Sequence, residues 1–231
     1  AAREDELLRL AGEEAGLPFD LVQGPLARAA LYRLAAAEHV LQVSAHHLAA
    51  DEWALGLLAQ ELAALYAAHC RGKDSPLPPL PVQYADYAAW ERNWYAGERR
   101  ALDLAYWREQ VADAPALSLP TDRPRPALQS ARGATVEITP APELVQALKQ
   151  FSRTQGTTYY VTLLAAFNVL MARYSGQDDF AVGVPMANRQ SEESAKLIGT
   201  CMNTLPVRAD FSGSPSFREF LQRVQRAMTA A

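Results

Sequence analysis

Cysteine is nearly absent. The 231-residue chain has two, Cys70 and Cys201, too few for a disulfide framework and suited to a reducing compartment, so the cytoplasm is the expected setting. No Lys/Arg cluster stands out among the 22 basic and 26 acidic residues, whose formal balance is −4. Phosphate recognition needs a basic stripe, so nucleic acid is set aside as a partner. Long apolar runs are missing too: the stretch from Tyr159 to Met171 is broken by Thr162 and Asn168 and falls short of the ~20 residues a bilayer span requires, so no membrane partner is expected. Ala1 to Asp5 carries charge and no apolar h-region, so no secretory signal is read there. Repeats of fixed period and low-complexity tracts are also absent. What remains is an ordinary globular composition, 49% hydrophobic and 21% charged, in a length that suits one large domain or two small lobes.

Proline supplies the punctuation. Ten of the fifteen prolines lie between Pro76 and Pro142, and Leu119-Pro-Thr-Asp-Arg-Pro-Arg-Pro126 reads as an extended connection, because each proline disfavours helix in the residue before it. Two lobes are expected, 1–126 with this passage at its end and 127–231. In the first, residues 4 to 15 read as a helix stopped by Gly16. Residues 26 to 34 and 39 to 45 read as adjacent antiparallel strands. Leu41, Val43, Ala45 and His47 share one parity and Gln42, Ser44 and His46 the other, which predicts that His47 points inward and His46 does not. From Glu52 to Cys70, Leu55, Leu58, Leu62 and Leu65 form an apolar helical stripe, with Asp51 placed to cap it. Aromatic-rich helices are predicted over 82–94 and 98–111. Beyond the prolines, 134–138 alternates as a strand, Pro142 opens a helix to about Thr154, and 158–174 is a second helix stopped by Ser175-Gly176. Residues 179–184 and 205–211 read as strands. Ser216 and Glu219 form a capping box for a last helix to Met228. Both halves mix helix and strand, so the class is α/β (α+β).

The most informative cluster is His46-His47-Leu-Ala-Ala-Asp51 at a strand-to-helix turn, a common location for catalytic groups. As a metal site it is weak: adjacent histidines at a strand end diverge, and no third His or Cys lies at ligand spacing, so no metal is expected. No Gly-x-Ser-x-Gly elbow is present, and neither cysteine sits in a nucleophile motif. A lone inward histidine can still serve direct acyl transfer from a thioester, as a base or as a stabiliser of the oxyanion. From spacing alone the plainer reading, a satisfied core histidine and a helix cap, is favoured. Trp90, Trp94, Tyr95, Tyr106 and Trp107 are read as structural, Asp178-Asp179 as solvated turn residues, and Arg123 and Arg125 as linker charges.

Resemblance changes that weighing. His46-His47-x-x-x-Asp51 resembles the His-His-x-x-x-Asp-Gly signature of the condensation domains of nonribosomal peptide synthetases, relatives of the chloramphenicol acetyltransferases. Further blocks agree in type and order: Phe19-Asp20-Leu21 with Gly24-Pro25-Leu26 and Arg28; Tyr84-Ala-Asp86-Tyr87-Ala-Ala-Trp90; Tyr106-Trp107 followed by Leu119 to Pro126; and Ile198-Gly199-Thr-Cys-Met-Asn203-Thr204 with Arg208 trailing. The likeness implies an incomplete two-lobe fold of the chloramphenicol acetyltransferase type, the middle of one domain. It implies peptide-bond formation between a donor acyl or peptidyl thioester and the amine of an acceptor aminoacyl thioester. Upstream and downstream carrier proteins would bring both on phosphopantetheine arms, beside an adenylation domain, with no cofactor bound by the domain itself.

Carried over by position, His47 falls on the catalytic histidine, His46 on its neighbour, and Asp51 on an aspartate held to be structural, for which Arg189 in Pro185-Met-Ala-Asn-Arg189 resembles the partner. Asn203 falls near the substrate channel. Two departures stand out. Glu52 replaces the glycine after the aspartate, where a carboxylate would crowd the site or add charge beside His47. Cys201 and Met202 replace a phenylalanine and a valine. A coenzyme A-dependent acyltransferase of the same superfamily and a noncatalytic carrier-docking module are the alternative readings.

Overall fold

The alternation between residues 27 and 45 becomes an antiparallel hairpin in a computed structural model, which describes residues 2–128, 130 and 133–231. Strand β1 (Ala27–Ala35) pairs with β2 (Glu38–Ala45), with Ala27 opposite Ala45 and Leu31 opposite Leu41. The helix α1 (Ala2–Ala15) covers one face of this hairpin. Glu14 accepts from Arg28 Nε at 2.7 Å and from the Ser44 hydroxyl, and the Gln42 amide donates to the Ala11 carbonyl at 3.1 Å. The covered parity is therefore the polar one. Leu31 and Leu41, on the opposite face, are 67% and 49% exposed. Alternation marks two faces but does not say which one receives a neighbour; here hydrogen-bonding residues hold the helix.

Helix α2 (Glu52–His69) follows β2, then α3 (Tyr84–Trp94). In α2 the buried residues are Ala54 and Ala68, whereas Leu55, Leu62 and Leu65 of the expected apolar stripe are exposed. Along α3, Tyr87, Trp90 and Trp94 form a ladder with centroid separations of 5.7 and 5.6 Å, and the two tryptophans are about half exposed. Tyr87 alone of these three is buried, against Leu197 and Cys201. These elements form one compact unit, the residues through Ala96 together with Met186–Asn203, which includes a short 3₁₀ turn, Ser194–Lys196.

The second unit comprises Gly97–Pro185 and Thr204–Ala231. It contains α4 (Glu98–Gln110), α5 (Pro142–Thr154), α6 (Tyr159–Ser175), α7 (Phe217–Ala230) and most of the two-stranded sheet β3 (Asp179–Met186) and β4 (Asn203–Asp210). Local signals set the helix ends. Pro142 occupies the first turn of α5. Thr158 accepts from the Val161 N–H to start α6, and Gly176, at φ +71°, ends it in a left-handed conformation that costs glycine little. Phe180, Val184, Val207, Phe220, Leu221 and Val224 form its core, each almost wholly buried, and side chains of this size contribute about 1.5–3 kcal/mol each by leaving water. Asp179, read as a solvated turn residue, instead takes a two-pronged ion pair from Arg208 at 2.6 and 2.7 Å.

The strand expected at 134–138 is not formed: these residues are irregular, and Val136 and Ile138 are each 84% exposed. An alternating run becomes a strand only with a ladder partner, and among the described residues 134–138 has none.

Candidate active site

The ladder of β2 ends at Ala45, and the chain turns. The His46 N–H still reaches the Leu26 carbonyl at 2.9 Å, and the His46 carbonyl accepts from Ala49 at 2.8 Å. The turn breaks the strand parity, so the expected orientations of the two histidines are reversed. His46 is half-buried, edge-on to the Phe19 ring at 5.8 Å, with Nδ1 accepting from the Leu48 N–H at 3.1 Å. His47 is exposed. The Arg28 guanidinium covers the Phe19 ring at 3.9 Å, so the early Phe19 to Arg28 block forms the seat of His46.

Asp51 lies in extended conformation at the helix start, and its Oδ1 accepts from the Ala54 N–H at 2.8 Å. Arg189 reaches the same carboxylate: Nη2 donates to Oδ1 at 2.9 Å and Oδ2 at 3.1 Å, with both side chains essentially buried. Arg189 also donates to the carbonyls of Ser194, Leu197 and Gly199 at 2.7 to 2.8 Å. Its Nε is buried with no acceptor among the described residues. Burial pushes the Asp51 carboxyl up, but the N–H groups of Ala54 and Cys201 and the guanidinium charge outweigh this and hold it below the usual carboxylate range.

Around this pair the blocks converge. The Cys201 N–H donates to Asp51 Oδ2 at 3.1 Å, and the Tyr84 hydroxyl donates to the Thr200 carbonyl at 2.7 Å. Gly199 lies so close to the Tyr84 ring that a Cβ would overlap it. Trp53 Nε1 donates to the Ala195 carbonyl at 2.9 Å. Burial raises the Cys201 thiol and, with Glu91 beside it, the Tyr87 hydroxyl, so neither is a ready nucleophile. Glu52 is the first residue of α2 and is exposed; Asn203, the first residue of β4, is exposed as well. The structure thus brings Asp51 and Arg189 into contact, places His46 and His47 on the adjoining turn, and puts Glu52 and Asn203 at the starts of α2 and β4. Sequence reasoning missed Thr200, whose hydroxyl donates to the His47 carbonyl, because a single threonine within a block has no spacing signature. Among the described residues no group of three or more His, Cys, Asp or Glu side chains could hold a metal ion, and no helix is long and apolar enough to cross a membrane.

The family model described as Condensation domain matches residues 1–231. The chain belongs to the condensation domain family. It is 48% identical over 232 aligned positions to a linear gramicidin synthase of Brevibacillus parabrevis, covering 100% of this chain and 3% of that protein. Among solved structures it is similar to the X-domain in the complex of the X-domain and OxyB from teicoplanin biosynthesis, with a TM-score of 0.87 and 31% identity over 98% of this chain and 51% of that one. The first condensation domain of the CDA synthetase aligns with a TM-score of 0.78 at 24% identity, over 98% of this chain and 50% of that one, a likeness of fold. The fold is the chloramphenicol acetyltransferase-like one of condensation domains, and the chain spans about half the length of these two solved chains.

Proposed function

We propose that this chain is the middle of a condensation domain, with 1–126 and 127–231 as parts of its two lobes, and that the domain joins a donor acyl or peptidyl thioester to the amine of an acceptor aminoacyl thioester. Both substrates would arrive on phosphopantetheine arms of carrier proteins, loaded by adenylation domains of a cytoplasmic synthetase, and the condensation domain itself would bind no cofactor. The observation that carries this reading is the buried Asp51–Arg189 pair, which anchors one end of a turn that exposes His47.

The acceptor amine attacks the thioester carbonyl, His47 takes the proton the nitrogen loses, and the tetrahedral intermediate collapses to the amide. The C–S bond breaks, and the departing thiolate takes a proton. Imidazole suits this, since a ring nitrogen can accept the proton. Alignment contributes up to ~7–11 kcal/mol and a placed base ~10²–10⁴-fold, so holding the two thioesters outweighs proton transfer. Asp51 is structural in this scheme, His46 supports the turn, and Asn203 and Glu52 border the channel. In the complete synthetase, His47→Ala is expected to cut dipeptidyl-carrier formation by ~10²–10⁴-fold while both carriers still load, as read by intact-protein mass spectrometry. Undiminished product would remove His47 from the mechanism. Turnover with acyl-coenzyme A in place of the donor carrier would favour the coenzyme A-dependent alternative.

A second reading has a specific support. Glu52 stands where the catalytic signature has glycine, and the X-domain, to which the chain is 31% identical, is known in complex with OxyB. On that reading the domain only docks partners. Carrier binding without condensation, persisting in Glu52→Gly, would favour it.

A further inference from the structure

Residues 199–201 carry no group that the proposed chemistry uses, yet every one of their peptide units is held. The Gly199 carbonyl accepts from Arg189 Nη2 at 2.8 Å, the Thr200 carbonyl from the Tyr84 hydroxyl at 2.7 Å, and the Cys201 N–H donates to Asp51 Oδ2 at 3.1 Å. Gly199 has no room for a side chain, so its backbone lies against the Tyr84 ring. Clamped in this way, the segment directs the Thr200 hydroxyl to the main-chain carbonyl of His47.

That carbonyl is where the turn needs support. The strand ladder stops at Ala45 and the capped helix starts after Asp51, so the peptide planes flanking His47 rest on turn bonds, the Ala49 N–H on the His46 carbonyl and the Leu48 N–H on His46 Nδ1, and Thr200 adds a bond to the His47 carbonyl from outside the turn. The exposed His47 ring is carried on a backbone that alternative turn geometries would re-aim. We propose that Thr200 is a positioning residue for His47: its hydroxyl fixes the His47 peptide and so aims the imidazole. The buried Asp51–Arg189 pair then holds both ends of the His-His-x-x-x-Asp segment, Asp51 directly and His47 through residues 199–201. This assigns the pair a route to the reacting centre without contact with substrate. The proposal rests on the reading of His47 as the catalytic base.

The test uses the complete synthetase module with both carriers loaded, comparing Thr200→Val, which keeps the shape and removes the hydroxyl, with Thr200→Ser, which keeps the hydroxyl. Thr200→Val is expected to lower kcat for dipeptidyl-carrier formation by roughly 10- to 100-fold, the scale of a small misplacement of a catalytic group. The KM for the acceptor carrier should be unchanged, and the melting temperature should fall by no more than about 4 °C. Thr200→Ser should recover kcat to within about threefold. A serine variant as slow as the valine variant would mean that packing matters and the hydroxyl does not, overturning the proposal. Wild-type kcat in Thr200→Val beside an inactive His47→Ala would overturn it while leaving His47 catalytic. Wild-type kcat in both would remove the reading of His47 and the proposal with it.

Discussion

Removing the charge of Asp51 would leave the Arg189 guanidinium buried among three carbonyls with no counter-ion. Breaking a buried pair from one side costs about 3–5 kcal/mol, mostly through the charge left behind. Asp51→Ala, which also removes the α2 cap, is therefore expected to lower the melting temperature of the condensation domain by roughly 6–20 °C; an unchanged value would mean that the pair adds nothing to stability. The same carboxylate sets a pH dependence. Its pKa is lower folded than unfolded, so its contribution is complete above the ordinary carboxylate range and is lost as pH falls through its own lower value. The melting-temperature gap between wild type and Asp51→Asn should hold steady from neutrality to about pH 5 and narrow below about pH 4. A gap that widened on acidification would contradict an ionised Asp51 in the native state. At this scale the sequence carried Asp51 and Arg189 only through the likeness of whole blocks, because 137 residues separate two groups that meet through tertiary folding.

Among the elements, the ends of helices were the most legible parts, since caps are local chemistry. In α7 the Ser216 N–H donates to Glu219 Oε2 at 2.8 Å while the Glu219 N–H reaches back to Ser216 Oγ at 3.4 Å, as the Ser-x-x-Glu spacing predicts. Ser216→Ala is expected to destabilise the second unit by about 1 kcal/mol, within the 0.5–2 kcal/mol range of such caps. The shift in urea midpoint at unchanged slope measures it, and a shift indistinguishable from zero would mean that water replaces the cap. Strand content was legible only where a partner existed. Residues 27–35 and 38–45 found each other across a short turn, whereas 134–138 carries the same alternation with no ladder. The orientation of His47 was misread for a related reason: strand parity holds for as long as the ladder does, and Ala45 ends it.

For the molecule as a whole, the division into units depends on long-range returns that no local signal announces. Met186–Asn203 comes back to the unit formed by the residues through Ala96, carrying Arg189 and Thr200 to Asp51, Tyr84 and His47. In the second unit, Leu117 packs into the core, the Ser118 N–H donates to Gln177 Oε1 at 2.7 Å, and Arg208 reaches the Ala112 carbonyl at 2.9 Å. A cut near residue 137 would therefore sever one exposed stretch of chain while leaving bonds across it in both units. Glu137 is exposed and in no helix or strand, whereas Glu61, Glu91 and Glu219 lie within helices and the exposed Glu192 and Glu193 lie in a turn closed by bonds between Ser191 and Ser194, where a protease needs local unfolding first. A glutamate-specific protease at limiting ratio is expected to cut first after Glu137, giving 1–137 and 138–231 on a denaturing gel. The two pieces should co-elute under native conditions, because the buried Asp51–Arg189 pair and the packing of Leu117 on the core around Phe180 and Phe220 both cross the cut. Resistance at Glu137 would mean that 134–138 is not the accessible stretch its exposure implies, and separation of the pieces would show that the contacts across the cut are too weak to hold the returning segment in place.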